Sequence, residues 1–180
     1  MTQQGTEPAL PAPFRSGPYA VRSEWIDEND HLNLAHYVTL FDSATDALWR
    51  HIGLGDPLRA QRLGTFAAEA HILYRAELLI DETVFIGSQL LSLDTKRLHV
   101  VHEMRRERDG QVSAEQELMY LCVDLDTRRV SPWPDELNTR LRARLADHAD
   151  LAVPDWVGRR VAMPTPAEPA PHASTPPSPA

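Results

Sequence analysis

Between positions 34 and 52 the chain carries one helix too apolar to lie on a surface. Leu34, Tyr37, Val38, Phe41, Ala44, Leu48 and Ile52 recur at intervals of three and four, and Leu40, Ala47 and Trp49 widen the stripe. More than half of the circumference is apolar, so the helix has to be enclosed by other elements. Gly53 and Gly55 end the pattern, and Pro57 blocks its continuation. Almost everything after it is strand-like. "TFAAEAHILYRAELL", "TVFIGSQLLSL", "RLHVVHEMRRER" and "QVSAEQELMYLCVDL" have β-type character, and Asp109-Gly110 between the last two is a strong hairpin signal. Ahead of the helix, the alternation in "YAVRSEWI" predicts a strand from Tyr19. A second, polar helix is expected from Asp135 to Asp147, with Leu137, Leu141 and Leu145 at period four. The order is strand, buried helix, four strands, surface helix. A lone helix of this kind needs a sheet to wrap it, which predicts an α+β fold: a curved antiparallel sheet around one long central helix. One sheet and one helix leave an edge and a face uncovered, so a homodimer or a dimer of dimers is expected.

Composition bounds the function. Of 15 prolines, 12 fall before Tyr19 or after Asp150. The expected folded unit is 17–160, with a disordered segment at 1–16 and a disordered Pro/Ala-rich tail at 161–180. The net charge of -8 argues against a nucleic-acid partner. No apolar run approaches the ~18 residues of a membrane span, and "MTQQGTEPALPAPF" lacks the basic and apolar regions of a signal peptide. A cytoplasmic location is the expectation. Cys122 is the one cysteine, so an intrachain disulfide is impossible. Its setting, "MYLCVDL", predicts a buried, inert thiol. His99 and His102 stand at odd spacing on a strand and point to opposite faces, which argues against shared metal ligation. No metal and no cofactor is expected. Phosphate-loop, zinc-protease and serine-hydrolase motifs are lacking.

The polar residues are densest just before the apolar helix, in "WIDENDHLNLAHY". Asn33 is a favoured N-cap type ahead of Leu34, and Asp27 by itself reads as a turn residue. The start of a helix also offers unpaired backbone N–H groups and the positive end of a dipole. A carboxylate a few residues upstream of such an end shares its pocket.

This segment resembles the D-x-N-G-H-[ML]-N-x-x-x-Y signature of hotdog-fold acyl-CoA thioesterases of the 4-hydroxybenzoyl-CoA thioesterase type. "TFAAEAHILYRAELL", "DTKRLHVVHEM" and "VDLDTRRVSPWPDEL" resemble later parts of the same family in order. Within the family the likeness runs toward thioesterases associated with carnitine breakdown and betainyl-CoA. The resemblance implies a hotdog fold and an acyl-CoA substrate cleaved to a carboxylate and free CoA. It assigns Asp27 as the catalytic aspartate, nucleophile or general base, with His31 positioning the acyl group and Asn33 beside them. Tyr37 matches the family's tyrosine, while its place on the apolar stripe makes it mostly core. Phe66, Ala68, Ala70, Ile72 and Tyr74 are expected on one strand face, leaving Glu69 and His71 on the other. The resemblance sets that strand beside the cleft, which makes Glu69 a substrate-contacting candidate. Lys96, Arg97 and Arg129, with Arg128, are the candidates for the CoA phosphates, although each also reads as part of a solvated turn. One departure stands out: Asp30 occupies the family's glycine position, where a left-handed backbone is wanted. Two rival functions share the fold. A hotdog enoyl-CoA hydratase has D-x-N-P-[IL]-H, with its histidine five residues after the aspartate rather than four. A non-catalytic acyl-CoA-binding module is the other.

Overall fold

The computed structural model describes residues 12–163. The elements are β1 (Phe14–Ala20), α1 (Leu34–His51), α2 (Gly55–Ala60), β2 (Leu63–Tyr74), β3 (Thr83–Leu93), β4 (Arg97–Arg106), β5 (Val112–Asp124), β6 (Arg129–Val130) and α3 (Asp135–Asp147). The five long strands form one curled antiparallel sheet in the order β1-β3-β4-β5-β2. Because β2 occupies one edge of β5 along nearly its full length, the two-residue β6 lies on the β4 side and continues that strand's track.

Helix α1 lies in the concave face, as its apolar circumference demands. Near its start, Tyr37, Leu40, Phe41 and Ala44 pack on Val84, Ile86, Met104 and Ala114 of the sheet. Near its end, Leu48, Trp49 and Ile52 meet Leu90, Leu98, Val100, Leu118 and Tyr120. On β3, β4 and β5 the even-numbered residues point inward, the period-two pattern of a strand with one face on the core. Truncating Phe41 to alanine there would cost about 3–5 kcal/mol. Leu137 and Leu141 of α3 close the far end of this core. The segment after α3 crosses part of the convex face, where Trp156 is buried beside Val101 and the Gly158 N–H donates to the Glu117 carboxylate at 2.7 Å.

The α+β hotdog architecture and the α3 boundaries match the expectation. At the Asp109-Gly110 hairpin, Gly110 takes φ +70 and its N–H donates to the Arg106 carbonyl at 2.9 Å. Gly53, at φ +68, ends α1. Gly55 does something else: it opens the short helix α2, whose first turn accommodates Pro57. The first strand also differs. It runs Phe14–Ala20, so it begins inside the stretch read as disordered, and "SEW" is a 3-10 turn rather than strand. The cause is pairing with β3, which buries Ser16 opposite Ile86, a long-range contact that no local pattern carries. The rest of 1–16 and the tail beyond 163 lie outside the described residues.

The strand faces of β2 need a correction. Ala68 is an extra residue, a β-bulge between the Ala67–Tyr120 and Glu69–Met119 pairs. Thr65 and Ala67 face α1 before it, and Ile72 and Tyr74 face α1 after it. Phe66 therefore lies on the convex side, 61% exposed, and does not share a face with Ile72. Cys122 is buried, and burial pushes its thiol up to about 11, as its apolar setting implies.

Candidate active site

The turn between β1 and α1 is built by its own backbone. The Asp27 N–H donates to the His31 carbonyl at 3.0 Å, and the Asp30 N–H donates to the Asp27 carbonyl at 3.1 Å. A bridge between Ile26 and Leu32 closes its base. Asp30 sits at φ +60, so this position does require the left-handed conformation. Aspartate enters it more readily than most residues, and its side chain points to solvent. The turn is tied down by the Leu32 N–H to the Leu78 carbonyl (2.7 Å) and the Asn33 N–H to the Trp25 carbonyl (2.9 Å). Asn33 is the N-cap of α1, its side-chain oxygen accepting from the Ala35 N–H at 3.0 Å.

Asp27 is held at the mouth of this helix. Its Oδ1 accepts the Asn29 N–H at 2.9 Å and lies 3.6 Å from His31 Nδ1. The Asp27 side chain is 20% exposed. Among the described residues no hydrogen bond reaches Oδ2, which leaves that atom available. His31 Nδ1 also lies 3.3 Å from the Leu32 carbonyl. That contact needs a proton on Nδ1, so in the neutral ring Nε2 is the basic nitrogen.

Asp27 and His31 line a cleft of about 440 Å³ together with Leu34 and Tyr37 of α1. Its opposite wall is Tyr74 and the link after β2, Arg75, Ala76 and Glu77. Tyr37 is buried, as its place on the stripe implies, and its hydroxyl donates to the Ala76 carbonyl at 3.4 Å. Burial pushes its phenol up to about 12, and the nearby Glu77 carboxylate acts in the same sense. Tyr37 is therefore a neutral hydrogen-bonding group. Its ring meets Tyr74 edge-on at 5.2 Å and 83°. The Arg75 guanidinium is engaged by Glu115 at 2.6 Å. Sequence reasoning missed Tyr74, Arg75 and Glu77 as cleft residues. The available signal was the polar break "YRAE" at the point where the strand alternation stops.

Asp27, His31, Asn33 and Tyr37 are thus brought together, and the other candidates are not. Because the bulge inverts the faces of β2, Glu69 lies on the convex side with His71, His99 and Glu117. His99 pairs there with Glu117 at 2.8 Å, while His102 points into the core, so the two histidines do occupy opposite faces. Lys96, Arg97 and Arg129 are level with the Leu63 end of β2, opposite Cys122, Leu121 and Asp124 respectively. Tyr74, opposite Ala114, is seven to ten residues along β5 from those positions, roughly 23–33 Å at the ordinary strand rise. Arg97 is engaged by Asp94 at 2.7 Å.

A second polar cluster lies under α1. Thr45 Oγ1 is 3.0 Å from His102 Nε2 and 3.0 Å from the Tyr120 hydroxyl, and Ser88 Oγ is 2.8 Å from His102 Nδ1. His102 is fully buried, and burial pushes its imidazole down to about 3, so it is neutral. The network joins helix to sheet without reaching the cleft.

The family model described as "Thioesterase-like superfamily" matches residues 21–141. The chain is 39% identical over 145 residues to a betainyl-CoA thioesterase of Pseudomonas aeruginosa, covering 80% of this chain and 91% of that one. It is 32% identical over 149 residues to an L-carnitine dehydrogenase/betainyl-CoA thioesterase of Rhizobium meliloti; the match covers 83% of this chain and spans only 30% of that longer protein. Among solved structures it superposes on a hypothetical protein from Staphylococcus aureus in complex with CoA. That match has a TM-score of 0.76 and 26% identity, with 84% of this chain and 95% of that one covered.

Proposed function

The chain belongs to the thioesterase-like superfamily and is an acyl-CoA thioester hydrolase, and we propose that its substrate is betainyl-CoA and that Asp27 starts the reaction. The observation that carries the catalytic reading is the Asp27 carboxylate, fixed through Oδ1 by the Asn29 amide with Oδ2 available, at the mouth of a cleft that opens at the start of α1. The thioester carbonyl lies at that helix start, where amide donors and the dipole stabilise the oxyanion. Asp27 Oδ2 then takes one of two routes. It adds to the carbonyl carbon, expelling CoA thiolate and leaving a mixed anhydride that water cleaves. Alternatively, it removes a proton from a water molecule as that water adds. Both end in a carboxylate and CoA, and neither needs a cofactor or metal. His31 positions the acyl group, the Tyr37 hydroxyl stays a neutral donor, and Asn33 keeps the helix start in place.

The betainyl group is supported by the name of the Pseudomonas aeruginosa relative, and the link to carnitine breakdown by that of the Rhizobium meliloti protein. We further propose a homodimer, or a dimer of dimers, through the free edge of β2. That strand is 12 residues long, and beside it Phe66 on β2 and Leu34 and Val38 on α1 expose apolar side chains. Antiparallel pairing of two β2 strands about a twofold would bring the Leu63 end of one protomer to the Tyr74 end of the other. Lys96, Arg97 and Arg129 would then serve CoA phosphates at the partner's cleft rather than their own. The enzyme is proposed to work in the cytoplasm without nucleic acid; among the described residues no helix is long and apolar enough to cross a membrane.

The test is free-thiol release from a panel of acyl-CoAs, crotonyl-CoA included, by the native chain and Asp27→Asn. Loss of turnover in the variant, with betainyl-CoA the best substrate of the native chain, is the expected result. Full activity in Asp27→Asn removes Asp27 from the mechanism.

A further inference from the structure

The wall of the cleft opposite Asp27 carries an unusual balance of charge and surface. Its residues 74–77 supply an aromatic ring, a guanidinium, a small residue and a carboxylate. The guanidinium is neutralised by the buried carboxylate of Glu115. The other ionisable groups of the cleft are the carboxylates of Asp27 and Glu77, the His31 imidazole beside Asp27, and the corner made by the Tyr37 and Tyr74 rings, with Tyr74 48% exposed. No lysine lines it, and Arg75 is its one arginine. An anionic acyl group meets repulsion here, and a neutral one gains only apolar contact.

We propose that Tyr74 and Glu77 select an acyl group bearing a permanent positive charge on the carbon next to the thioester carbonyl, the Tyr74 ring face and the Glu77 carboxylate receiving the quaternary ammonium. This rests on the reading of the cleft as the acyl site and deepens it. A methylene-linked ammonium nitrogen lies only about 2.5 Å from the carbonyl carbon. It therefore has to be recognised inside the cleft that holds Asp27, and Tyr74 and Glu77 are in that cleft. A quaternary ammonium has no N–H to donate, so ring faces and unpaired carboxylates are the groups that can hold it. Glu77 lines the same cleft as the Tyr37 and Tyr74 rings, and among the described residues its carboxylate has no ion-pair partner. Tyr37 supports Tyr74 from beneath, fixing its ring by the edge-on contact.

The experiment compares betainyl-CoA with its carbon isostere, 3,3-dimethylbutanoyl-CoA, which has the same shape and no charge. The readout is the ratio of kcat/KM for the two esters in the native chain, Glu77→Gln, Tyr74→Leu and Tyr74→Phe. The native chain should favour the cation by at least about tenfold. Glu77→Gln and Tyr74→Leu should each lower that ratio by about fivefold or more, whereas Tyr74→Phe, which keeps the ring, should retain it. Glu77 is exposed, so its variant keeps the inference testable if Tyr74→Leu does not fold. A native ratio near one, or a ratio that neither variant changes, overturns the charge selection while continued CoA release leaves the thioesterase reading standing. No CoA release from either ester overturns both.

Discussion

Helix α1 carries two polar clusters of similar composition and opposite fate. At its start, Asp27 and His31 are held by single backbone contacts, and an oxygen of Asp27 is left available at an open cleft. Midway along, Thr45, Ser88, His102 and Tyr120 are buried and satisfy one another. The sealed cluster has spent its hydrogen-bonding capacity inward, and burial keeps its histidine uncharged. The open cluster is less complete, and that incompleteness is what the proposed reaction draws on. One cluster fixes where the helix lies; the other uses the position of the helix.

Exchanging the roles of the two clusters by mutation would break this contrast. The largest effect should come from Asp27→Asn: a fall in kcat of about 10²–10⁴-fold with Tm unchanged. His102→Leu should do the reverse. Leaving Thr45 and Ser88 without their partner should cost about 3 kcal/mol, or roughly 10 °C in Tm, with kcat of the folded fraction retained. Loss of kcat at constant Tm in His102→Leu would show that the network is not merely structural.

Acid sharpens the contrast further. His102 is held far below its ordinary value in the folded state, so below about pH 6.5 the unfolded chain binds a proton that the folded chain refuses. The stability it contributes is full above pH 6.5 and is lost as pH falls toward about 3. That amounts to about 1.5–2 kcal/mol between pH 6.5 and 5. Burial also lowers His51 and His148, which act in the same sense. Denaturant melts of His102→Gln against pH should show a flatter acid limb; an unchanged limb would mean that other groups dominate it. Two smaller changes probe the open cluster. Asn33→Ala should cost about 1 kcal/mol through the lost cap, and Asp30→Gly should gain somewhat under about 1 kcal/mol by relieving the left-handed backbone.

Much of this was legible in the residues because it is local. The stripe on α1, the hairpin glycine, the Asn33 cap and the Asp27–His31 turn are each set by residues within a few positions of one another. The misses are long-range. The first strand begins at Phe14 because β3 receives it. Glu69 faces away from the cleft because one extra residue interrupts its ladder with β5. Tyr74 and Glu77 became cleft residues only when β2 was folded back against the turn before α1. His102 shows the same limit: strand parity set it on the face opposite His99, but its burial and its partners Thr45 and Ser88 come from 57 and 14 residues away.

The bulge at Ala68 acts on β2 as a parity bit acts on a string. That one residue decides which face of the sheet every later side chain serves. Were Ala68 instead to pair within the ladder, every later residue would slip one place along β5, a frameshift in space. Tyr74 would turn out of the cleft, Leu73 would turn in, and a wall made of ring and carboxylate would become one of aliphatic carbon.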